Sequence, residues 1–303
     1  MITTPTVLIL GAGANRPYGF PSARELRDLI CEEFASEQSA AIRLLANHYF
    51  PYQFAEFCSA LRRSGQLSVD AFLERNPEYV ACGKMAIAYC LIRYENEDNL
   101  FPLNQEHHLY EYILARTGAD IQTFSTNKLS ILTFNYDRSL EHFLETALFN
   151  SNRTSISRER VRETMSSIPI VHLYGQLAPL PWQDSDYTRP YDAEITPQNV
   201  AKAARFIKII GEKNDQDLHK DSEFVRAWQL IDASKQICFL GFGYHATNLS
   251  RLKIDNRKGN WRIYGTALGM ETSEQKQVAE ALGNTTLDSV DSLKLLRHYG
   301  ILK

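Results

Sequence analysis

Thr6-Val7-Leu8-Ile9-Leu10 runs straight into Gly11-Ala12-Gly13. A short run rich in β-branched and apolar residues, closed by glycines, fits a strand buried on both faces. Such strands belong to parallel sheets covered by helices. The next signal agrees: Ser22 and Glu25 have the S-x-x-E spacing of a capping box, ahead of a helix expected from about Ala23 to Phe34. Strand, glycine turn and helix in that order open an α/β fold.

From about residue 39 to 118 the pattern is helical throughout. The segments Ala40–Tyr49, Tyr52–Arg63, Tyr79–Tyr94 and His107–Ala115 carry apolar residues at helical spacing, and no strand stands out. This stretch reads as an all-helical module inserted after the first βα unit, its aromatic residues forming core. Strands are expected again at Leu129–Thr133, Ile168–Leu173, Gln236–Leu240 and Trp261–Tyr264. Helices are expected over Arg138–Phe149, Gln198–Ile210, Glu223–Ile231, Ser273–Leu282 and Ser289–His298. A long loop is expected from Ala178 to Pro197, with Pro179, Pro181, Pro190 and Pro197. The alternation predicts a Rossmann-like doubly wound parallel sheet with an inserted helical module, in one domain spanning 1–303.

Composition narrows the function classes. The chain has 303 residues and a formal net charge of -3. Proteins that coat nucleic acid lean on clustered Lys and Arg, so no direct nucleic-acid binding is expected. The five cysteines are odd in number and none are spaced as CxxC. They read as buried, reduced thiols of a cytoplasmic protein, and no metal is expected. No run approaches the ~20 apolar residues of a membrane span. The N-terminal MITTPTVLILGAG lacks a basic n-region and reads as a strand, not a signal peptide.

Four segments at strand ends can carry chemistry. Gly11-Ala12-Gly13-Ala14-Asn15 stands where a dinucleotide-binding loop belongs, where glycines let backbone N–H groups approach a pyrophosphate. The third glycine of GxGxxG is replaced by Arg16, and a simple tight turn is the competing explanation. Tyr18-Gly19-Phe20-Pro21-Ser22 lengthens the loop before the helix, and Arg16 is either a phosphate donor or a solvated side chain. In Thr133-Phe134-Asn135-Tyr136-Asp137, the two polar side chains are either ligand contacts or caps of the following helix. Val171-His172-Leu173-Tyr174-Gly175 places a histidine, the natural base near neutrality, at a strand end. Phe239-Leu240-Gly241-Phe242-Gly243-Tyr244 offers close backbone approach to a ligand or an ordinary turn.

Taken in order, GAGAN with YGFPSA, SVDAFL (Ser68 to Leu73), LTFNYDRSLE (Leu132 to Glu141), VHLYG and FLGFGY resemble the sirtuin superfamily, and within it the bacterial sirtuin-like NAD hydrolases of anti-phage defence. The resemblance runs from Val7 to about Leu249. It implies an NAD+ nucleosidase that yields nicotinamide and ADP-ribose, with NAD+ as substrate. In its terms Gly11, Ala12 and Gly13 face the NAD phosphates, with Asn15, Arg16, Tyr18, Pro21 and Thr133 also on the cofactor side. Asn135 holds the nicotinamide ribose and a water, Asp137 sits by the nicotinamide pocket, and His172 is the base. Gly241 and Gly243 lie near the adenosine half. Phe242 and Gly243 stand where the family often has serine or threonine, which puts ribose contacts there in doubt. Deacetylating sirtuins carry two zinc-binding cysteine pairs, absent here. The resemblance further implies a homo-oligomer and a hexameric HerA-type ATPase as a partner class. The alternatives are an NAD or ADP-ribose sensor without turnover, and a zinc-free protein deacylase or ADP-ribosyltransferase.

Overall fold

The computed structural model describes residues 1–36, 38–46, 51–103, 108–183, 186–210, 217–254 and 259–303. Its centre is a six-stranded sheet of β1 (Thr6–Leu10), β2 (Leu129–Thr133), β3 (Ile170–His172), β4 (Gln236–Leu240), β5 (Arg262–Thr266) and β6 (Thr285–Asp288). The order is β3-β2-β1-β4-β5-β6 and every pairing is parallel. Helices flank the sheet, so the fold is a Rossmann-like, doubly wound α/β fold. The chain winds from β1 out to β3, then crosses back to β4 on the other side of β1. The switch point therefore lies at the C-terminal ends of β1 and β4, where open α/β sheets form their crevices. Register places Leu10 beside Thr133 and Thr133 beside His172, so these three residues form one row along that edge.

The three central strands match the sequence reading residue for residue, and β1 is buried at every position. Ser22 and Glu25 form the expected capping box of the helix Ala23–Glu33. Between β1 and β2 the described residues are helical, including Ala40–Leu45, Pro51–Arg63, Val69–Arg75, Val80–Ile92 and Leu109–Thr117. The outer ends expected for two of these segments, residues 47–49 and His107, lie outside the described residues. Val80–Ile92 has no polar face: from Cys82 to Ile92 all but Lys84 are buried. It is the central helix of the module, and Gly83 admits the Leu73 side chain where a Cβ would stand 2.6 Å from it.

Other boundaries differ from expectation for local reasons. The strand expected over Ile168–Leu173 is confined to Ile170–His172, since Pro169 has no N–H to offer the ladder. The helix expected to reach Ile210 stops at Phe206, because Ile207 turns extended and bridges Gly175. There the Lys208 N–H donates to the Tyr174 carbonyl at 2.8 Å. Gly175 has φ 75°, and a Cβ there would lie 1.9 Å from the Phe206 carbonyl oxygen, so this crossing requires glycine. The last helix starts at Ser292, capped by Asp291, because Thr285–Asp288 is spent on β6. The fifth strand runs Arg262–Thr266 instead of Trp261–Tyr264. The helices Arg158–Met165 and Ala246–Leu252 were not expected. Among the described residues no helix is long and apolar enough to cross a membrane.

Candidate active site

The glycine turn after β1 does not open into a loop. Ala12–Tyr18 winds into a 3₁₀ helix that Gly19 ends with φ 85°. Its glycines are explained by a second turn. The Gly11 N–H donates to the Leu240 carbonyl and the Gly13 N–H to the Gly241 carbonyl, both at 2.9 Å. A Cβ on Gly11 would stand 2.5 Å from the Gly241 oxygen, and one on Gly241 2.0 Å from the Ala14 nitrogen. The two turns thus touch backbone to backbone across the switch point. Gly243, by contrast, is exposed, with nothing within 4 Å of where its Cβ would be.

The 3₁₀ helix turns Asn15 inward, where it is buried. The Tyr110 hydroxyl, from the helical module, donates to Asn15 Oδ1 at 2.8 Å. Asn15 Nδ2 donates to Asp137 Oδ2, and the Ser139 N–H donates to Asp137 Oδ1 at 3.1 Å. One oxygen of Asp137 thus accepts from the first N–H of the helix Ser139–Ser151, and the other from Asn15, while the residue lines the pocket described below. Burial pushes the Asp137 carboxyl up to about 6; Glu95 and Glu141 add to the shift, and the contacts with Ser139 oppose it.

Asn135 is fixed at both ends. Its N–H donates to Thr133 Oγ1 at 3.0 Å and its Nδ2 to the Gly11 carbonyl at 3.1 Å. Its own carbonyl accepts from His172 Nδ1 at 3.0 Å. His172 Nε2 lies 2.6 Å from Glu141 Oε1, with side chains 10% and 5% exposed. Both ring nitrogens thus face acceptors, which suits the doubly protonated imidazolium. Burial works against that charge, but the Glu141 carboxylate, the Asn135 carbonyl and Asp137 outweigh it and hold the histidine pKa above its ordinary value.

Asn15, Thr133, Asn135, Asp137 and His172 line one small pocket, with Leu10, Leu140 and Ile170 as its apolar wall. It has room for about one water molecule. Tyr110 and Glu141 share it, and sequence reasoning assigned neither a role. Tyr110 sat in a helix read as core. Glu141, in the first turn of its helix, reads in sequence as an ordinary complement to the helix dipole. On their far side His172 and Glu141 also line a cleft of about 510 Å³ along the edge strand β3, walled by Trp182, Arg162, Lys208 and Arg226.

The remaining expected residues do not line the pocket. Gly11, Ala12, Gly13 and Gly241 form the paired turns beside it. Arg16 lies at the surface in an ion pair with Glu25, the same carboxylate that completes the capping box. Tyr18 is buried, stacked on Tyr110 with ring centroids 4.2 Å apart, its hydroxyl 3.0 Å from His108 Nδ1. Pro21 is half-buried and leads into the Ser22 cap.

Next to Asp137 lies a buried charged cluster with no signal in the local sequence pattern. Glu95, Arg138 and Arg189 are fully buried. Glu95 accepts from Arg138 Nε at 2.9 Å and pairs with the Arg189 guanidinium. Arg138 Nη1 also donates to the Ala178 carbonyl at 3.1 Å and the Arg189 carbonyl at 2.6 Å. The proline-rich segment is thereby tied to the helical module and to the start of the helix that follows Asp137. No protein-family model matches the chain, and no curated protein does.

Proposed function

We propose that the chain is a sirtuin-like enzyme that hydrolyses NAD+ between nicotinamide and ribose. One observation carries the reading: Asn135, Asp137 and His172 meet in one pocket at the C-terminal edge of a doubly wound parallel sheet, beside the glycine turn that follows β1. In the proposed reaction the C1′–N bond breaks and its electron pair neutralises the pyridinium nitrogen, so nicotinamide leaves without a general acid. Water oxygen bonds to C1′ and gives up one proton, yielding nicotinamide, ADP-ribose and H+. Among the described residues Asn135 Oδ1 has no hydrogen-bond donor, and it is assigned to the ribose or the water. Asp137, oriented by Asn15, is assigned to the nicotinamide side. His172 is assigned the proton.

A nicotinamide ring does not fit a pocket with room for one water, so side chains around it must move apart on binding. That agrees with an enzyme that would deplete its own cell's NAD+ and is held silent until triggered, as in anti-phage defence. Tyr110 links the helical module directly to Asn15. An oligomer or a HerA-type ATPase gripping that module is the proposed trigger.

A second reading, binding of NAD+ or ADP-ribose without turnover, is favoured by one observation: both nitrogens of His172 face acceptors, and an imidazolium has no lone pair. Incubating the purified protein with NAD+ and separating products by chromatography, with His172→Ala as control, decides between them. Nicotinamide and ADP-ribose from wild type alone support hydrolysis. Tight binding with no products supports the sensor.

A further inference from the structure

We propose that Glu141 is the positioning residue of this site: it holds His172 in the wall between the pocket and the outer cleft and takes the proton the imidazole must shed before it can act as a base. The inference rests on the hydrolase reading for its kinetic arm alone.

The geometry leaves one candidate for this task. A ring whose Nδ1 and Nε2 both face acceptors becomes a base only by losing one N–H. The acceptor at Nδ1 is the Asn135 backbone carbonyl, which does not take up a proton. The acceptor at Nε2 is the Glu141 carboxylate, 2.6 Å away, which does. Glu141 is anchored in the first turn of a thirteen-residue helix, and with His172 it lines both the pocket and the cleft. The other titratable groups facing this pair are Asp137 and Tyr110 from the pocket and Arg162, Lys208, Glu223 and Arg226 from the cleft. Arg162 is paired with Glu145, and Lys208 with Asp221 and Glu223.

The proton count closes. The Nε2 proton passes to Glu141, whose carboxyl swings toward the cleft and releases it to solvent. The neutral ring, still donating Nδ1–H to Asn135, takes one proton from water on Nε2 as the C1′–O bond forms. The imidazolium is restored, and one proton has left per turnover, as hydrolysis of NAD+ requires.

The test uses the full chain as wild type, Glu141→Gln and Glu141→Asp. The His172 imidazole is titrated by NMR with labelled histidine, assigned through the signal lost in His172→Asn. We expect the His172 midpoint to fall in Glu141→Gln and to lie between in Glu141→Asp. Turnover should fall about 10²-fold or more in Glu141→Gln with KM within about threefold, and Glu141→Asp should recover part of the loss. An unchanged His172 midpoint in folded Glu141→Gln overturns the proposal, as does wild-type turnover in that variant. If Glu141→Gln does not fold, Glu141→Asp decides: wild-type titration and turnover in it overturn the proposal, and displacement of both supports it. If wild type turns over no NAD+, the hydrolase reading falls, while the titration still shows whether Glu141 holds His172.

Discussion

Asn15 and Asp137 stand 122 residues apart in the chain and share a buried hydrogen bond above the ends of β1 and β2. Burial moves this carboxyl from 3.8 to about 6, which corresponds to about 3 kcal/mol between its two protonation states. The folded protein therefore holds the Asp137 proton more tightly than the unfolded chain. Stability from this group is full below about pH 4 and is lost as pH rises through about 6. Asp137→Asn carries no such dependence. The unfolding free energy of Asp137→Asn minus that of wild type should increase by up to about 3 kcal/mol between pH 4 and pH 7.5. Urea unfolding across that range checks it, and a flat difference would remove the buried-carboxylate account.

Asn135→Ala and His172→Ala should each lower NAD+ turnover by ~10²–10⁴ in protein that stays folded. On the proposed hydrolase reading, His172→Ala removes the group assigned the proton. Asn135→Ala removes the group assigned to ribose and water, and its tie to the Gly11 carbonyl goes with it. Product formation beside circular dichroism spectra checks both, and wild-type turnover in a folded variant sinks the assignment.

The glycines of the fourth strand's turn should separate sharply. Gly241 has φ 58° and would press a Cβ into the Ala14 nitrogen, so Gly241→Ala should cost about 2 kcal/mol or more and disturb the paired turns. Gly243→Ala meets nothing and should stay within about 0.5 kcal/mol of wild type. Thermal melts of the two variants, side by side, give the comparison.

Glu95 is a carboxylate held between two buried guanidinium groups. Burial disfavours its charge, but Arg138 and Arg189 outweigh that and hold it below the ordinary glutamate range. Its contribution is complete above that range and fades as pH falls below it. Glu95→Gln leaves both arginines unbalanced and should cost about 3–5 kcal/mol near neutrality, with Ala178–Pro197 becoming cleavable by protease. Arg189→Met leaves a balanced Glu95–Arg138 pair and should cost less. Denaturation midpoints with limited proteolysis test the order; equal costs would argue against charge balance as the cause.

The central sheet was legible because β1, β2 and β4 are largely buried, and such strands are written as short, mainly apolar runs ending in glycine or a polar turn. Strand β6 was not, since Thr285–Asp288 lies at the sheet edge, half-exposed, and carries no such run. The helix Arg158–Met165 was hidden for a similar reason: RERVRETM buries only Val161, Thr164 and Met165. Of the residues expected at strand ends, Asn135, Asp137 and His172 line the candidate pocket, whereas Gly11, Gly241 and Gly243 do not. The supports of the pocket were not legible. Tyr110 and Glu141 become partners only once a helix is docked, and Arg16 and Tyr18 took other partners for the same reason. Register and docking are non-local quantities that no window of sequence contains.

The buried cluster of Glu95, Arg138 and Arg189 also governs how such a chain can diverge. Each member comes from a different segment, and loss of Glu95 strands two guanidinium charges where water cannot reach them. Drift at Glu95 is therefore blocked while both arginines stand, whereas one arginine can be lost as long as the other is kept to balance Glu95. Descendants can rewrite the outer face of the proline-rich segment while its inner anchor stays fixed, so among related chains the segment should vary in letters far more than in path.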